Sequence, residues 1–243
     1  MKLSVVIPAH NEEGVIADTL RGLYAALREA DISHELVVVD DSSTDDTADV
    51  VQAVAKEVPS VCLVTNAPPN GYGFAVRCGI DAAQGEYVAI IMADASDDPA
   101  DLVAFYRKAE EGYDAVFGNR FAREGEVVDY PWFKLILNRI TNWIICMLFA
   151  IRHTDTTNAF KLYRRDTLEG LKPFLSHHFN LTVELPLKTI VRGYSYAVLP
   201  NRWYNRKHGE SKLKIKEMGS RYWFVIFYCL LEKWLSVGDY HRK

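Results

Sequence analysis

No unbroken run of about 18 apolar residues occurs in the chain, so no segment reads as a bilayer-spanning helix. The opening MKLSVVIPAHNEE turns polar after one short apolar run. That suits a strand and is too brief for the core of a signal peptide, so no leader is expected. Cysteine is sparse: Cys62, Cys78, Cys146 and Cys229 stand far apart with no CxxC pair. This excludes a disulfide framework and a cysteine zinc site, and suits buried thiols in a reducing compartment. No GK[ST] follows a glycine-rich turn, so there is no P-loop. The charges nearly cancel, 28 Lys and Arg against 32 Asp and Glu for a net charge of −4, and no basic field calls for nucleic acid. Internal repeats, low-complexity tracts and long linkers are also missing. His177-His178 has no partner at metal-ligand spacing and reads as surface or loop.

What is there is an ordinary globular composition of 243 residues, 49% hydrophobic, enough for one large α/β domain or two small ones. Strands are expected at 3–8, 35–39, 61–65, 87–92 and 115–118. Helices are expected from 15, at 48–58 after the capping run SSTDD, at 74–83 and at about 100–111. This strict alternation predicts a parallel sheet with helices on both faces. The second half reads differently: a long helix over 132–151, a loop entering a short strand at 155–163 (DTTNAFKLY), a helix over 179–192 and a strand over 195–200. We expect one domain, with a nucleotide-binding front (1–125) and an acceptor-binding back (126–243).

Chemistry-bearing residues gather after the strands. Asp40-Asp41 ends a buried strand and reads either as a helix cap or as carboxylates for a nucleobase or ribose. His10 lies just beyond the first strand. Gly71-Tyr72-Gly73 with Arg77 is either a flexible turn and a surface arginine, or a close backbone approach to a ligand with Arg77 facing a phosphate or base. The stretch GEYVAIIMADASDDP delivers Asp94, Asp97 and Asp98 past a buried strand, followed by Pro99 at a helix start. These acids either cap the next helix or hold a divalent cation carrying phosphates. Asn119-Arg120, with Arg202, Arg206, Lys207 and Lys212, reads as a set of salt-bridge partners or as a cationic site for a phosphate-bearing second substrate. Glu184, inside an apolar run, is a paired structural acid or faces the reaction centre.

Seven Lys or Arg fall from Arg202 to Arg221, and an apolar, aromatic run over 222–231 follows. That run and 140–151 are too short to span hydrocarbon. Each is a core helix or a helix lying in a membrane interface, with Trp223, Trp234 and Tyr240 near headgroups. The flanking Lys214, Lys216, Arg221 and Lys233 favour the interface.

VVIPAHNEE, VVVDDSSTDDT, NGYGFAVRCGIDAAQGEYV and MADASDDP together resemble family 2 glycosyltransferases of the GT-A fold. FGNRF, DTTNAFKLYRRD, NLTVELPLK and NRKHGESKL resemble the dolichol-phosphate mannosyltransferase group, the polyprenyl-phosphate glycosyltransferases. The likeness covers about 3–213. It implies a GT-A, Rossmann-like, mostly parallel sheet. The implied reaction moves a hexose, mannose or glucose, from a GDP- or UDP-sugar to dolichyl or undecaprenyl phosphate. It would depend on Mg²⁺ or Mn²⁺ and invert the anomeric carbon. The implied location is the cytoplasmic face of a membrane, peripheral or monotopic, with a separate membrane-anchoring protein left open. In residues, it implies Pro8, His10, Glu12 and Asp41, with Asp40 beside them, around the nucleoside, and Arg77 supporting the nucleotide. His10 stands where the family usually has tyrosine. Asn119-Arg120 stands for the family's Ser-Arg pair at the acceptor phosphate, Asn158 for a serine, and Arg206, Ser211 and Lys212 match an R-x-x-G-E-S-K ending. The family's Asp-x-Asp acids fall on Ala93 and Ala95, so a metal would be held by Asp94 and Asp97 in a shifted register. Asp94, Asp97, Arg120 and Arg206 are then the catalytic set. Two rivals stay open: a transferase acting on a saccharide hydroxyl with Glu184 or Asp98 as base, and a non-catalytic nucleotide-sugar binding module.

Overall fold

The β-branched runs of the first half become strands whose side chains alternate between two buried faces. The computed structural model describes residues 2–205, 215–236 and 239–240, the side chains of 215–218 excepted. Strands β1 (Leu3–Ala9), β2 (His34–Asp40), β3 (Val61–Thr65), β4 (Tyr87–Ile90) and β5 (Ala115–Asn119) alternate with helices α1 (Ile16–Glu29), α2 (Thr47–Glu57), α3 (Tyr72–Ala82) and α4 (Pro99–Glu110). Leu3, Val5 and Ile7 of β1, Leu36 and Val38 of β2, and Tyr87 and Ala89 of β4 pack into the layer with α1, α2 and α4. Val6, Val37, Val39, Val88 and Ile90 pack into the opposite layer with α3. A sheet covered on both faces has no polar face, which is why these strands read as continuous apolar runs. Helix α3 begins two residues before its expected start, so Tyr72 and Gly73 belong to the helix rather than to the loop.

The sheet is mostly parallel, as expected, with one antiparallel strand at its centre. After β6 (Glu126–Val128) and α5 (Trp132–Phe149), strand β7 (Lys161–Arg164) inserts between β4 and β5. It runs antiparallel to both, while the remaining neighbours are parallel. The sheet order is β3-β2-β1-β4-β7-β5-β8, with β8 at Tyr196–Pro200. Helices α6 (Arg165–Leu171) and α7 (Leu181–Val191) follow β7. Strand β9 (Arg202–Tyr204) then pairs with β6 in a small second sheet, and α8 (Ile215–Leu235) follows. Strands β6 and β9 and helix α6 were not expected. The strand order reverses direction at β1, and the carboxyl ends of β1, β2, β4 and β5 share one edge with the beginning of β7. Ligand crevices of open α/β sheets lie at such an edge.

Helix α8 has one face in the core and one apolar face exposed. Val225, Ile226, Cys229 and Leu230 are buried with Ile145 and Phe149 of α5 and Val183 and Leu187 of α7. Its other face exposes Phe224, Phe227, Leu231 and Trp234, beside an exposed stripe of Trp132, Phe133, Ile136, Ile140, Trp143 and Met147 on α5. Arg192 and Glu232 tie α7 to α8 through a buried bidentate pair at 2.6 and 3.0 Å.

His153 gives the fold an acid sensitivity. It is buried, stacks on Phe117 at 5.4 Å, and neither ring nitrogen has a hydrogen-bond partner. Burial, with the nearby Lys161 ammonium, pushes it down from 6.5 to about 4. Between those values the unfolded chain binds a proton that the fold does not. Stability therefore falls as pH drops through this window, by about 3 kcal/mol. Denaturant unfolding across the window should show a shallower loss in His153→Phe than in the parent chain. Equal slopes would remove His153 as the cause.

Candidate active site

A cavity of about 400 Å³ opens at this sheet edge. Its polar end carries Asp94, Ser96, Asp97, Arg120 and Asn158, and its walls include Tyr130, Leu137, Ala159, Phe179, Trp203, Tyr222, Trp223 and Ile226. The turn that presents the two acids is held on several sides. Thr19 of α1 donates its hydroxyl to the Ala93 carbonyl at 2.9 Å, and the Tyr204 amide donates to the Ser96 carbonyl at 2.9 Å. Asp94 accepts from the Ser96 amide at 3.2 Å, Asp97 accepts from the Met92 amide at 3.4 Å, and Asp97 forms an isolated β-bridge with Trp203. Ala95 takes the left-handed conformation at φ 55°, a strain that such a clamped turn can sustain. The shifted register has a packing counterpart. Ala93, where an acid was expected from the family pattern, lies in the apolar core, whereas Asp94 and Asp97 line the cavity. Burial, then the neighbouring Asp94, raises Asp97 to about 7.

Arg120 is buried, and its partner is a residue the sequence reading did not single out. Asp155 accepts from the Arg120 amide at 3.0 Å, from Nε at 2.8 Å and from Nη2 at 2.8 Å. Burial alone disfavours the guanidinium charge, but Asp155 overcomes it and raises Arg120 above its usual value. Lys161, also unanticipated, is fully buried beside this pair, and its ammonium donates to the Asn158 carbonyl. Burial lowers it to about 7 against the pull of Asp155. Asn158 donates to Asn201 at 2.9 Å and lines the cavity. Asn119 is committed locally, donating to Thr154 at 3.1 Å and accepting from the Phe121 amide at 3.0 Å.

The expected nucleoside residues cluster separately, at the ends of β1 and β2. Asp41 accepts from Asn66 at 2.7 Å, Asn70 at 3.3 Å and the Gly71 amide at 2.9 Å. His10 Nδ1 lies 2.8 Å from the Asp41 carbonyl oxygen, Pro8 is buried in β1, and the Glu12 amide donates to Thr47 at 2.8 Å. Asp40 accepts from the Ser43 amide at 3.3 Å. Arg77 is not brought to the cavity: its guanidinium donates to the Ser176 carbonyl at 2.5 Å and sits over Phe74 and Phe174. Gly71 and Gly73 do permit a close approach, although to the chain itself. A Cβ on Gly73 would lie 2.5 Å from the His177 carbonyl carbon, and Gly71 has φ 142°.

Three residues left between a structural and a functional role take the structural one. Asp98 caps α4, accepting from the Ala100 amide at 2.8 Å. Arg202 pairs with Asp98 and Asp101, both at 3.0 Å, rather than joining a phosphate site. Glu184 is the paired structural acid: it accepts from the Leu175 and Ser176 amides at 2.7 Å and pairs with Lys188 at 2.6 Å, with both side chains fully buried. Breaking such a pair strands one buried charge. Glu184→Ala should cost at least about 3 kcal/mol in denaturant unfolding. An unchanged midpoint would contradict the pairing. Arg206, Lys207, Ser211 and Lys212 lie outside the described residues.

The comparisons identify this arrangement. A profile of glycosyl transferase family 2 matches residues 4–179. The chain belongs to that family. This glycosyltransferase is 30% identical over 172 residues to the undecaprenyl-phosphate 4-deoxy-4-formamido-L-arabinose transferase of Serratia proteamaculans, covering 70% of this chain and 51% of the relative. It thus spans about half the length of that protein. It is 28% identical over 215 residues to the polyprenol monophosphomannose synthase of Mycolicibacterium smegmatis, covering 86% of this chain and 80% of the relative. Among solved structures, glucosyl-3-phosphoglycerate synthase from Mycobacterium tuberculosis in complex with uridine diphosphate shares the fold at TM-score 0.70. The two are 20% identical, over 96% of this chain and 79% of the other. The glycosyltransferase therefore has the expected GT-A arrangement, with its antiparallel β7 in the middle of the sheet.

Proposed function

We propose that this glycosyltransferase moves a hexose, mannose or glucose, from a nucleoside diphosphate sugar to a polyprenyl phosphate, with inversion. One observation carries the reading. The cavity is lined both by two carboxylates and an arginine and by Leu137 of α5, Phe179, and Trp223 and Ile226 of α8, the two helices that also carry exposed apolar faces. An anionic head with a long hydrocarbon tail matches both ends. Both related proteins are named for polyprenol-linked sugars, which supports the same acceptor class. Phosphoglyceric acid, the small molecule bound in another M. tuberculosis structure of that synthase, has no hydrocarbon to fill the apolar walls.

The residues fit a divalent cation. Asp94 and Asp97 share the cavity wall, and burial, then repulsion from Asp94, makes Asp97 hard to ionise without a counter-charge. Among the described residues no group of three or more His, Cys, Asp and Glu gathers, so Asp94 and Asp97 are the protein groups that would hold a Mg²⁺ or Mn²⁺ ion. When bound, the ion would stabilise charge on the diphosphate leaving group. Asp41, His10 and the turn at 66–71 serve the nucleoside, so 1–125 serves mainly the donor, with Arg120 at the end of β5 as its contribution to the acceptor, and 126–243 serves mainly the acceptor. Arg120 holds the acceptor phosphate for attack on the anomeric carbon. That phosphate is already anionic at neutral pH, so no general base is required.

Labelled nucleotide sugars, screened with Mg²⁺ or Mn²⁺ and polyprenyl phosphate, should send label into the organic phase with one donor. Label transferred only to soluble saccharides, or donor binding without turnover under either metal, would overturn the proposal.

The exposed faces of α5 and α8 are read as resting on the membrane surface, with their tryptophans at headgroup level. No helix among the described residues is long and apolar enough to cross a membrane. Removing the exposed apolar groups should weaken vesicle binding by at least about tenfold. Co-sedimentation of a chain carrying Ile136→Ser, Trp143→Ser and Phe227→Ser measures this. Unchanged partitioning would dismiss the face. The whole of 222–243 is unsuitable for deletion, because Val225, Ile226, Cys229 and Leu230 are core residues.

A further inference from the structure

We propose that Asp155 is a positioning residue that fixes the Arg120 guanidinium and thereby sets where the acceptor phosphate sits. The proposal rests on the reading that Arg120 receives that phosphate. Asp155 is fully buried and gives both carboxylate oxygens to one residue, taking the Arg120 amide and Nε on Oδ2 and Nη2 on Oδ1. A guanidinium has five N–H donors, and this side-on pairing uses two of them. The end-on edge, Nη1 with the outer Nη2 proton, is left for an oxyanion. Phe121 and Tyr130 flank the group, with their ring centroids 5.5 and 5.7 Å from Cζ.

The need for an anchor follows from the neighbours. Arg120 and the acids Asp94 and Asp97 line one cavity. A long, mobile arginine beside two buried carboxylates would pair with them and block both substrates' sites. Asp155 satisfies the charge and removes that alternative. Asp155 is itself held in place: its carbonyl accepts from the Asn158 amide at 3.1 Å, and Thr154 next to it binds Asn119 at the end of β5. The buried Lys161 donates to the Asn158 carbonyl and so holds the same turn. One carboxylate thus locks side chain and main chain of the same arginine at the strand end.

The test compares the parent chain with Asp155→Asn, Arg120→Ala and the double variant, titrating polyprenyl phosphate at saturating donor and then the reverse. Asp155→Asn should raise the acceptor KM about tenfold or more while the donor KM stays within about twofold. The double variant should match Arg120→Ala, because Asp155 has nothing to position once the guanidinium is gone. If Arg120→Ala raises the acceptor KM and Asp155→Asn does not, the positioning role is wrong and the Arg120 reading survives. If Arg120→Ala leaves the acceptor KM unchanged, both fall. Equal rises in both KM values, with a lowered melting temperature, would mark Asp155 as structural only. Should Asp155→Asn not fold, Asp155→Glu replaces it: a raised acceptor KM with an unchanged donor KM is expected, and an unchanged acceptor KM refutes the role.

Discussion

Asp97→Asn is expected to lower kcat by about 10³-fold or more, an effect of about 4 kcal/mol on the barrier. The substitution keeps the shape of the side chain and removes its charge. Asp97 is buried and lines the cavity beside Asp94, and its backbone bridges to Trp203. On the proposed reading it helps hold the cation that neutralises the diphosphate leaving group. That charge grows most in the transition state, so losing the ligand reduces turnover more than donor binding. The asparagine also ends repulsion between two buried acids, so the fold should be no less stable. Steady-state kinetics at a series of Mn²⁺ concentrations, beside a thermal melt, separates the two effects. A kcat within about threefold of the parent at saturating metal would remove Asp97 from the site.

Arg120→Ala is expected to cost about 10²- to 10³-fold in kcat/KM for the acceptor, with the donor KM little changed. Two losses add. The phosphate loses a charge-assisted donor held ready in a buried site, and Asp155 is left as a buried carboxylate without its cation. The second loss appears as destabilisation, about 3 kcal/mol or more by denaturant unfolding. Arg120→Lys separates them, because it restores charge without the planar fork and should recover stability more than activity. An Arg120→Ala protein with normal acceptor kinetics would assign the phosphate to another group.

The sequence made the front half legible for a physical reason. Runs such as VVIPA and LVVV are apolar at successive positions because both faces of their strands are covered, and each run stops where the sheet meets the ligand edge. Parallel strands put their ends at that edge, so Asp40, Asp41, Asp94, Asp97 and Arg120 could be picked by looking just after each run. The same rule hid Asp155 and Lys161. Strand β7 runs the opposite way, so its beginning reaches the edge. The informative residues therefore precede the run LYR rather than follow it. A lysine next to apolar residues in DTTNAFKLY was the available signal, since a strand buried on both faces has no ordinary place for a charge.

Helix α8 was ambiguous because one face is core and the other is equally apolar and exposed. A composition apolar all round has no period to show which face is which. Arg202 looked like part of a basic phosphate site only because its acidic partners, Asp98 and Asp101, lie about a hundred residues earlier in the chain. Glu184 was undecided until its partner one helical turn away, Lys188, proved equally buried.

The central claim is that one cavity receives a lipid phosphate at Arg120 and sends its hydrocarbon tail between α5 and α8. Photolabelling by a polyprenyl phosphate with a diazirine near the head end of its chain, followed by peptide mapping, tests it most directly. The account predicts labels on residues 134–141 and 222–226, lost on competition with unmodified polyprenyl phosphate and strongly reduced in Arg120→Ala. Labels confined to other surfaces, or labelling at these helices that Arg120→Ala leaves untouched, would contradict it.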